Sequence, residues 1–254
     1  PFENNESQVS LLPFYDNQGL RDEIGKEKNL MRFHSIALKA GMLKTKTDFE
    51  GFLLKGVSND FEWSSLSSFL TQGAFPNLLQ ENASSEILIS EILADRLGLS
   101  LGDRVEAFFQ NQSGEGLPNR RRFTVVGIYF SGFPEIDQNL IYGDLRQIQR
   151  LNQWDSNQIG GYELFVNDFK AIDPSAKKIY ERLPSELNTS SITDRFSGIY
   201  QWISLFDFNV LIILIVMLLV GIINMATALL VLILELPRMI GILKALGANN
   251  TFVQ

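Results

Sequence analysis

The spacing of apolar residues divides the chain into two regimes. Through the first 207 residues, short apolar runs alternate with polar ones. From Thr193 the period turns helical, and between Val210 and Leu234 polarity nearly vanishes. Those 25 residues carry no charge, and eighteen of them are Leu, Ile or Val. As a helix rising about 1.5 Å per residue, the stretch is about 37 Å long, enough to cross a hydrocarbon core of about 30 Å with some tilt. Each Leu, Ile or Val near the centre favours insertion by roughly 0.3–0.6 kcal/mol, more in total than Gly221, Asn224 and Thr227 oppose. A buried helix of a water-soluble protein would be shorter and would keep a polar face. The pattern predicts a transmembrane helix over residues 208–235.

The preceding region reads as α+β. Strands are predicted at Val9–Leu12, Phe52–Val57, Glu86–Ile89, Val105–Phe109, Phe123–Tyr129, Leu140–Tyr142 and Tyr162–Val166. Helices are predicted at Ser90–Leu97, Asp144–Leu151 and Pro174–Leu183. Ser90 and Asp144 are suitable N-caps, and Gly98 is a suitable stop for the first helix. Gly102–Asp103 and the stretch from Asn111 to Asn119 read as turn and loop.

On the way into the apolar span, Phe196, Ile199, Tyr200, Trp202, Ile203 and Phe206 follow a helical period. Tyr200 and Trp202 fall where an interfacial aromatic belt belongs. Within the span, Met217, Gly221, Asn224, Met225 and Ala228 share one face at 100° per residue. A small-and-polar stripe of this kind suits packing against another helix, Gly permitting close approach and Asn supplying a hydrogen bond. Glu235 marks the charged boundary, and Pro237 predicts a break followed by a new helix. From Arg238 to Leu246 that helix is amphipathic: Met239, Ile242, Leu243 and Leu246 form an apolar stripe flanked by Arg238 and Lys244. Gly247 suits its C-terminal stop, and Asn250 or Thr251 a further N-cap. The two basic residues directly behind the span favour a cytoplasmic C-terminal side, which puts the large acidic region across the membrane. The expected organisation is thus residues 1–207 outside the cytoplasm, 208–235 in the membrane and 236–254 as a cytoplasmic loop.

Charge and candidate chemistry narrow the function. A net charge of −7 argues against general nucleic-acid binding. The basic run Arg120, Arg121 and Arg122 reads as the solvated start of a strand. With no cysteine there is neither a disulfide framework nor a thiolate metal site, and a lone histidine, His34, leaves no cluster with metal-ligand spacing. His34 lies in MRFHSIAL and reads as a satisfied strand histidine rather than a catalytic base. Glu135 and Asp137, beside Pro134, read as a solvated turn. No phosphate-cradling G-x-x-x-x-G-K-[ST] motif occurs, so any ATP must be bound by another chain. No catalytic, cofactor-binding or metal-binding residue is expected.

The stretch ELPRMIGILKALG, Glu235–Gly247, resembles the cytoplasmic loop of ABC transporter permeases of the FtsX type. In that family a charged boundary residue precedes an amphipathic helix ending in a leucine-basic-small-apolar-glycine run, here Leu243, Lys244, Ala245, Leu246 and Gly247. Leu236 and Pro237 stand where the family usually has a basic residue. ILISEILADRLGLSLGDRVEAFF, Ile87–Phe109, looks like the family's extracytoplasmic strand-helix-turn-strand. RRFTVVGIYFSGFPEIDQNLIYGDLRQIQRL, Arg121–Leu151, is similar to the lipoprotein-releasing subfamily, as are PFYDNQ near the start and GFLLKGVSNDFEW at Gly51–Trp63.

The resemblance implies a MacB-like periplasmic domain, a porter-like mixed α/β lobe with a smaller, mostly β lobe, followed by the transmembrane α-helix. It implies one membrane helix shortly before Pro1 and two more after Gln254. It further implies a non-catalytic permease in the inner membrane of Gram-negative bacteria, paired with a second permease subunit, identical or different, and driven by a cytoplasmic ATP-binding subunit. The cargo would be a lipoprotein, released toward a periplasmic carrier. Arg238, Met239, Ile242, Leu243, Lys244 and Leu246 would couple the permease to the ATPase. An efflux permease, an activator of cell-wall hydrolases, and a single-pass receptor or adhesin are the competing expectations.

Overall fold

Fifteen consecutive residues, Leu30–Lys44, form strand β3, the longest among those described. The computed structural model describes residues 2–3, 9–10, 12–45, 48–111 and 116–247, the side chains at 2, 3, 204 and 207 excepted. The chain falls into two compact units, Pro1–Ile192 and Thr193–Gln254.

In the first unit the elements run β1 (Phe2–Glu3), β2 (Phe14–Tyr15), α1 (Gln18–Gly25), β3, β4 (Phe49–Val57), β5 (Leu70–Gly73), β6 (Glu86–Ser90), α2 (Glu91–Leu97) and β7 (Arg104–Phe109). They continue with β8 (Asn119–Tyr129), α3 (Pro134–Asp137), β9 (Leu140–Asp144), α4 (Leu145–Asn152), β10 (Gln158–Ile159), β11 (Gly161–Val166), α5 (Ile172–Arg182) and β12 (Leu187–Asn188). A short α6 (Ile192–Arg195) precedes the long α7 (Ser197–Ala245). This is the expected mixed α/β fold followed by an apolar helix.

One ten-stranded sheet runs in the order β12-β1-β11-β3-β4-β9-β6-β8-β5, with β7 bridging β3 and β8. The bridge closes a circuit. β3 pairs β4 from Ile36 to Lys44 and, at Met42, Leu43 and Lys44, also pairs β7. β7 pairs β8 along its whole length, β8 pairs β6, β6 pairs β9, and β9 pairs β4. Strand alternation then sends one side chain in two to the inside. Leu43, Phe52, Leu54, Ile87, Ile89, Val105, Ala107, Phe109, Phe123, Val125 and Ile141 are all at most 4% exposed. Leu20 and Ile24 of α1, Leu93, Ala94 and Leu97 of α2, Leu145, Ile148 and Leu151 of α4, and Ile179 of α5 join the same core. A second cluster on the other sheet face gathers Ile36, Val57, Phe61, Leu78, Leu88, Tyr129 and Tyr142.

The local signals hold where they were strongest. Ser90 Oγ accepts from Leu93 N at 3.1 Å and caps α2, whose end is the left-handed Gly98 at φ 60°. Asp144 accepts from Arg146 N at 2.9 Å and caps α4. The helix predicted from Pro174 starts two residues earlier, at Ile172, which leaves the proline in the first turn where it forfeits no bond. Two expectations fail. The strand predicted at Val9–Leu12 is absent among its described residues; Pro13 has no N–H to offer a ladder, and the next paired stretch is β2 at Phe14–Tyr15. Pro237 does not break the helix: α7 runs unbroken through it. The proline forfeits one backbone bond, to the carbonyl of Ile233, and the turns on either side stay closed. Gly247 takes φ +91° just past the helix, as a stop should. The predicted cap at Asn250 or Thr251 lies outside the described residues.

Helix α4 packs closely on β4 because position 56 is glycine. A Cβ on Gly56 would stand 2.8 Å from Leu145 Cα and 2.9 Å from Ile148 Cδ1. On the same strand, a Cβ on Gly51 would meet nothing within 4 Å. Gly56→Ala should therefore cost about 1–3 kcal/mol by prising helix from sheet, and Gly51→Ala far less. Chemical denaturation of both variants beside wild type checks this; equal midpoints for the two would refute it.

Candidate functional site

Helix α7 is 49 residues long, and the most apolar stretch within it is wholly unburied. It is long and apolar enough to cross a membrane. Its backbone groups are bonded within the helix, and Thr227 returns its hydroxyl to the carbonyl of Ile223 at 2.8 Å, a polar side chain satisfied without water. Met217, Gly221, Asn224, Met225 and Ala228 lie on it, all exposed, and a Cβ at Gly221 would find open space. Trp202 and Phe206 pair on the approach to the apolar stretch, their centroids 5.6 Å apart.

The six residues Arg238, Met239, Ile242, Leu243, Lys244 and Leu246 follow on the same helix or, for Leu246, at its cap. Met239, Ile242 and Leu246 are exposed, and Leu243 is half-buried. The structure thus gathers the stripe and the amphipathic segment on one continuous helix, where a separate second helix was expected.

In the α/β unit, polar side chains gather in three places that sequence reasoning only touched. The first lies on one face of β3, β4 and β11. His34 sits opposite Glu163 in the β3–β11 register, with Nε2 and Oε2 2.9 Å apart. Lys55 Nζ donates to both Glu163 oxygens at 2.6 and 2.7 Å. Phe61 stands edge-on to the imidazole, 4.5 Å between centroids. Burial pushes the Glu163 carboxyl up, but the Lys55 charge and the bonds from His34 and Lys55 outweigh it and hold the group down to about 2. The buried strand histidine is as expected. It faces a carboxylate, not a hydroxyl, and alternation turns Ser35 to the opposite face. The arrangement pairs charges; it brings no nucleophile to a base.

The second cluster occupies that opposite face. Asp16 binds Arg21 in a fork, through Nε at 2.7 Å and Nη2 at 2.6 Å. Ser35 Oγ donates to the same carboxylate at 3.1 Å, and so does the Tyr162 hydroxyl. Burial works against the charge on Asp16, yet the bonds from Arg21 and Tyr162 bring its pKa below the ordinary carboxylate value. Lys39, whose amine meets Asn152 at the last turn of α4, is shifted down by burial.

The third corrects an expectation. Asp137 is not solvated but fully buried. Its carboxylate accepts from Ser131 N at 3.1 Å, Ser131 Oγ at 2.7 Å and Gly132 N at 2.9 Å, which fixes the turn that leads into α3. Glu135, by contrast, is exposed. Arg120 and Arg122 are solvated as expected and share Glu106 on β7, at 3.7 and 3.1 Å. Among the described residues no group of three or more His, Cys, Asp or Glu could hold a metal ion. Asp16, Arg21 and Glu163 carried no signal in sequence, because their partners lie up to 146 positions away.

No family model matches the chain. It is similar to the lipoprotein-releasing system transmembrane protein LolC of Haemophilus influenzae, 28% identical over 138 residues, 53% of this chain and 30% of that protein. LolC of Xylella fastidiosa is 26% identical over 166 residues, 64% of this chain and 40% of that protein. The chain thus spans less than half the length of these relatives. Among solved structures, the extracellular domain of the noncanonic ABC-type transporter YknZ from Gram-positive bacteria aligns at TM-score 0.44 and 13% identity, over 75% of this chain and 94% of that one. The periplasmic region of MacB from Actinobacillus actinomycetemcomitans aligns at TM-score 0.45 and 15% identity, over 71% and 79%.

The charge cluster sets a pH dependence. A carboxyl held down to about 2 in the folded state contributes stability that is present above the unfolded value near 4.5 and lost as pH falls toward 2. Glu163→Gln should lower the thermal midpoint at pH 6, and the gap from wild type should close between about pH 4.5 and 2. Melting curves across that range test it; a gap independent of pH would mean that the carboxylate charge is not what the cluster uses.

Proposed function

We propose that the chain is part of the membrane permease of an ABC transporter of the lipoprotein-releasing type. The similarity to LolC carries this reading, and the exposed apolar helix supports it. Residues 1–207 form the periplasmic domain, 208–235 span the inner membrane, and 236–254 belong to the cytoplasmic side. A separate cytoplasmic ATP-binding subunit drives the cycle, a second permease subunit completes the pair, and lipoproteins pass to a periplasmic carrier. The permease itself carries out no chemistry. It converts the movement of its ATPase into movement of the periplasmic domain, for which a helix continuing beyond both faces of the bilayer is mechanically suited.

The stripe of Met217, Gly221, Asn224, Met225 and Ala228 packs against a partner helix in the membrane. Gly221→Leu would hold that helix off and leave Asn224 poorly paired, a loss of about 1–2 kcal/mol for the polar contribution alone. Crosslinking between permease subunits should fall in this variant, and unchanged crosslinking would count against the stripe. Arg238, Met239, Ile242, Leu243, Lys244 and Leu246 dock on the ATPase, with the apolar residues in a groove and the basic ones at its rim. Burying one Leu there is worth roughly 1.5–3 kcal/mol, so Leu243→Asp should weaken docking tenfold or more. Lys244→Ala should cost less, because exposed ion pairs contribute about 0–1 kcal/mol. Pull-down of the ATPase by the full-length permease, at equal membrane levels, decides the matter. Equal recovery from wild type and Leu243→Asp would leave a helix that rests on lipid headgroups, as a single-pass receptor would also have.

A further inference from the structure

The turn between β8 and α3 is fixed at each backbone donor from Phe130 to Phe133, yet it displays its largest side chains. Phe130 N donates to the Phe69 carbonyl, next to β5, at 2.8 Å. Ser131 N and Gly132 N donate to the Asp137 carboxylate at 3.1 and 2.9 Å, and Phe133 N donates to Ser131 Oγ at 3.2 Å. Ile136 N and Asp137 N return to the Phe133 carbonyl at 3.0 and 2.9 Å. Gly132 takes φ +78°, which glycine adopts without strain. Asp137 itself has no exposure, so a charged group is withdrawn from water to hold this one turn. A turn so held loses little freedom when it binds a partner.

What the turn displays is apolar. Phe130 and Phe133 are 46% and 58% exposed. On the β5 side no residue from Trp63 to Gln80 is charged, and on the β8 side none from Phe123 to Pro134. Thr71, Gln72 and Gly73 of β5 are exposed and neutral. Glu135 is the exposed charge at the rim. The whole chain, by contrast, carries a net charge of −7.

Charge and symmetry together point to the occupant. Like charge keeps two copies of an acidic chain apart over most of their surface, and at this neutral end they approach without that repulsion. Phenylalanine against phenylalanine is self-complementary, as a twofold contact between identical surfaces requires. Strand β5 does not carry the contact by extending the sheet. It has four residues and is bulged between Leu70 and Gln72, both of which blunt an edge. The side chains of the turn carry it.

We propose that the turn Phe130–Phe133 is the surface on which a second copy of this chain docks, the two phenylalanines of one copy packing on those of the other. This rests on the reading of the chain as one of a pair of permease subunits. It adds that the subunits are identical and that their α/β units meet at this turn.

Thiol crosslinking of the whole chain in lipid vesicles tests it, since the native sequence has no cysteine. Gln72→Cys, on the exposed edge beside the turn, should crosslink to its own copy with a short bis-maleimide. Adding Phe133→Ser should lower the yield about tenfold, and adding Phe130→Ser should lower it less, because Phe130 is already more covered. Both should keep the wild-type thermal midpoint; a lowered midpoint would mean that the rings hold the turn, and would overturn the proposal. Raising the salt concentration should increase crosslinking, because it screens the repulsion between acidic copies. Ala228→Cys reports pairing along α7 separately. Crosslinking at Ala228 but not at Gln72 would overturn the docking surface and leave the permease pair standing. Crosslinking at neither would overturn it together with the pair of identical subunits. A yield at Gln72 that Phe133→Ser leaves unchanged, or that falls with salt, would also overturn it and give the turn to another partner or to lipid.

Discussion

Everything in the α/β unit hangs on the double pairing of β3. Its first half is bonded to β11 and its last three residues to β7, while β4 runs along the other edge from Ile36 onward. A strand so long must turn from one partner to another without losing its core-facing residues. Gly41 sits at that turn on the inner side, where a Cβ would fall 2.7 Å from the Phe109 ring and 2.8 Å from the Phe52 ring. Those two rings meet edge-on at 5.6 Å in the space that the glycine leaves. Because β3 reaches β7, the circuit closes, and the large aliphatic and aromatic side chains have a dry interior to fill.

Closure explains where the charges go. The core positions lining the circuit are mostly apolar, and on these strands the ionisable groups that become buried are paired, Lys39 with Asn152 among them. There His34, Lys55 and Glu163 satisfy one another on one face, and Asp16, Arg21, Ser35 and Tyr162 do so on the other. Single buried carboxylates do similar work at loops. Asp137 ties down the turn before α3, and Asp144 accepts from Ser84 N at 2.7 Å and Arg146 Nη2 at 2.7 Å. Arg146 in turn donates to the carbonyls of Leu78 and Gln80, at 2.9 and 2.7 Å. Such bonds give irregular backbone the partners that a ladder would otherwise supply.

Helix α7 obeys a different solvent. An apolar helix with no buried side in its central stretch has nothing to gain from water, and its backbone groups are already paired along its own axis. Hydrocarbon suits both facts. The continuity of α7 through Pro237 bears on the proposed transport role, since an unbroken helix passes displacement along its axis better than two helices joined by a turn.

The elements whose signals are local were legible from the residues alone. The apolar run at 210–234 needs no neighbour to be recognised, because its length and lack of charge are measured against the membrane and not against the fold. The caps Ser90 and Asp144 and the stops Gly98 and Gly247 are likewise decided within a turn of the chain, where a side-chain oxygen or a left-handed glycine completes the orphan groups of a helix end. What tertiary structure decided are the matters in which distant residues compete. Asp137 looked solvated beside Pro134, and became buried because Ser131 and Gly132 turn their donors toward it. Glu163 became a paired charge because the β3–β11 register brings it to His34, 129 positions away. The extent of β3 escaped notice because Arg32, Lys39 and Gly41 dilute its apolar alternation, and each is explained only by a partner on another element. Local hydrogen bonding and hydrophobic length are properties of a stretch of sequence; register, closure and charge pairing are properties of which stretches meet.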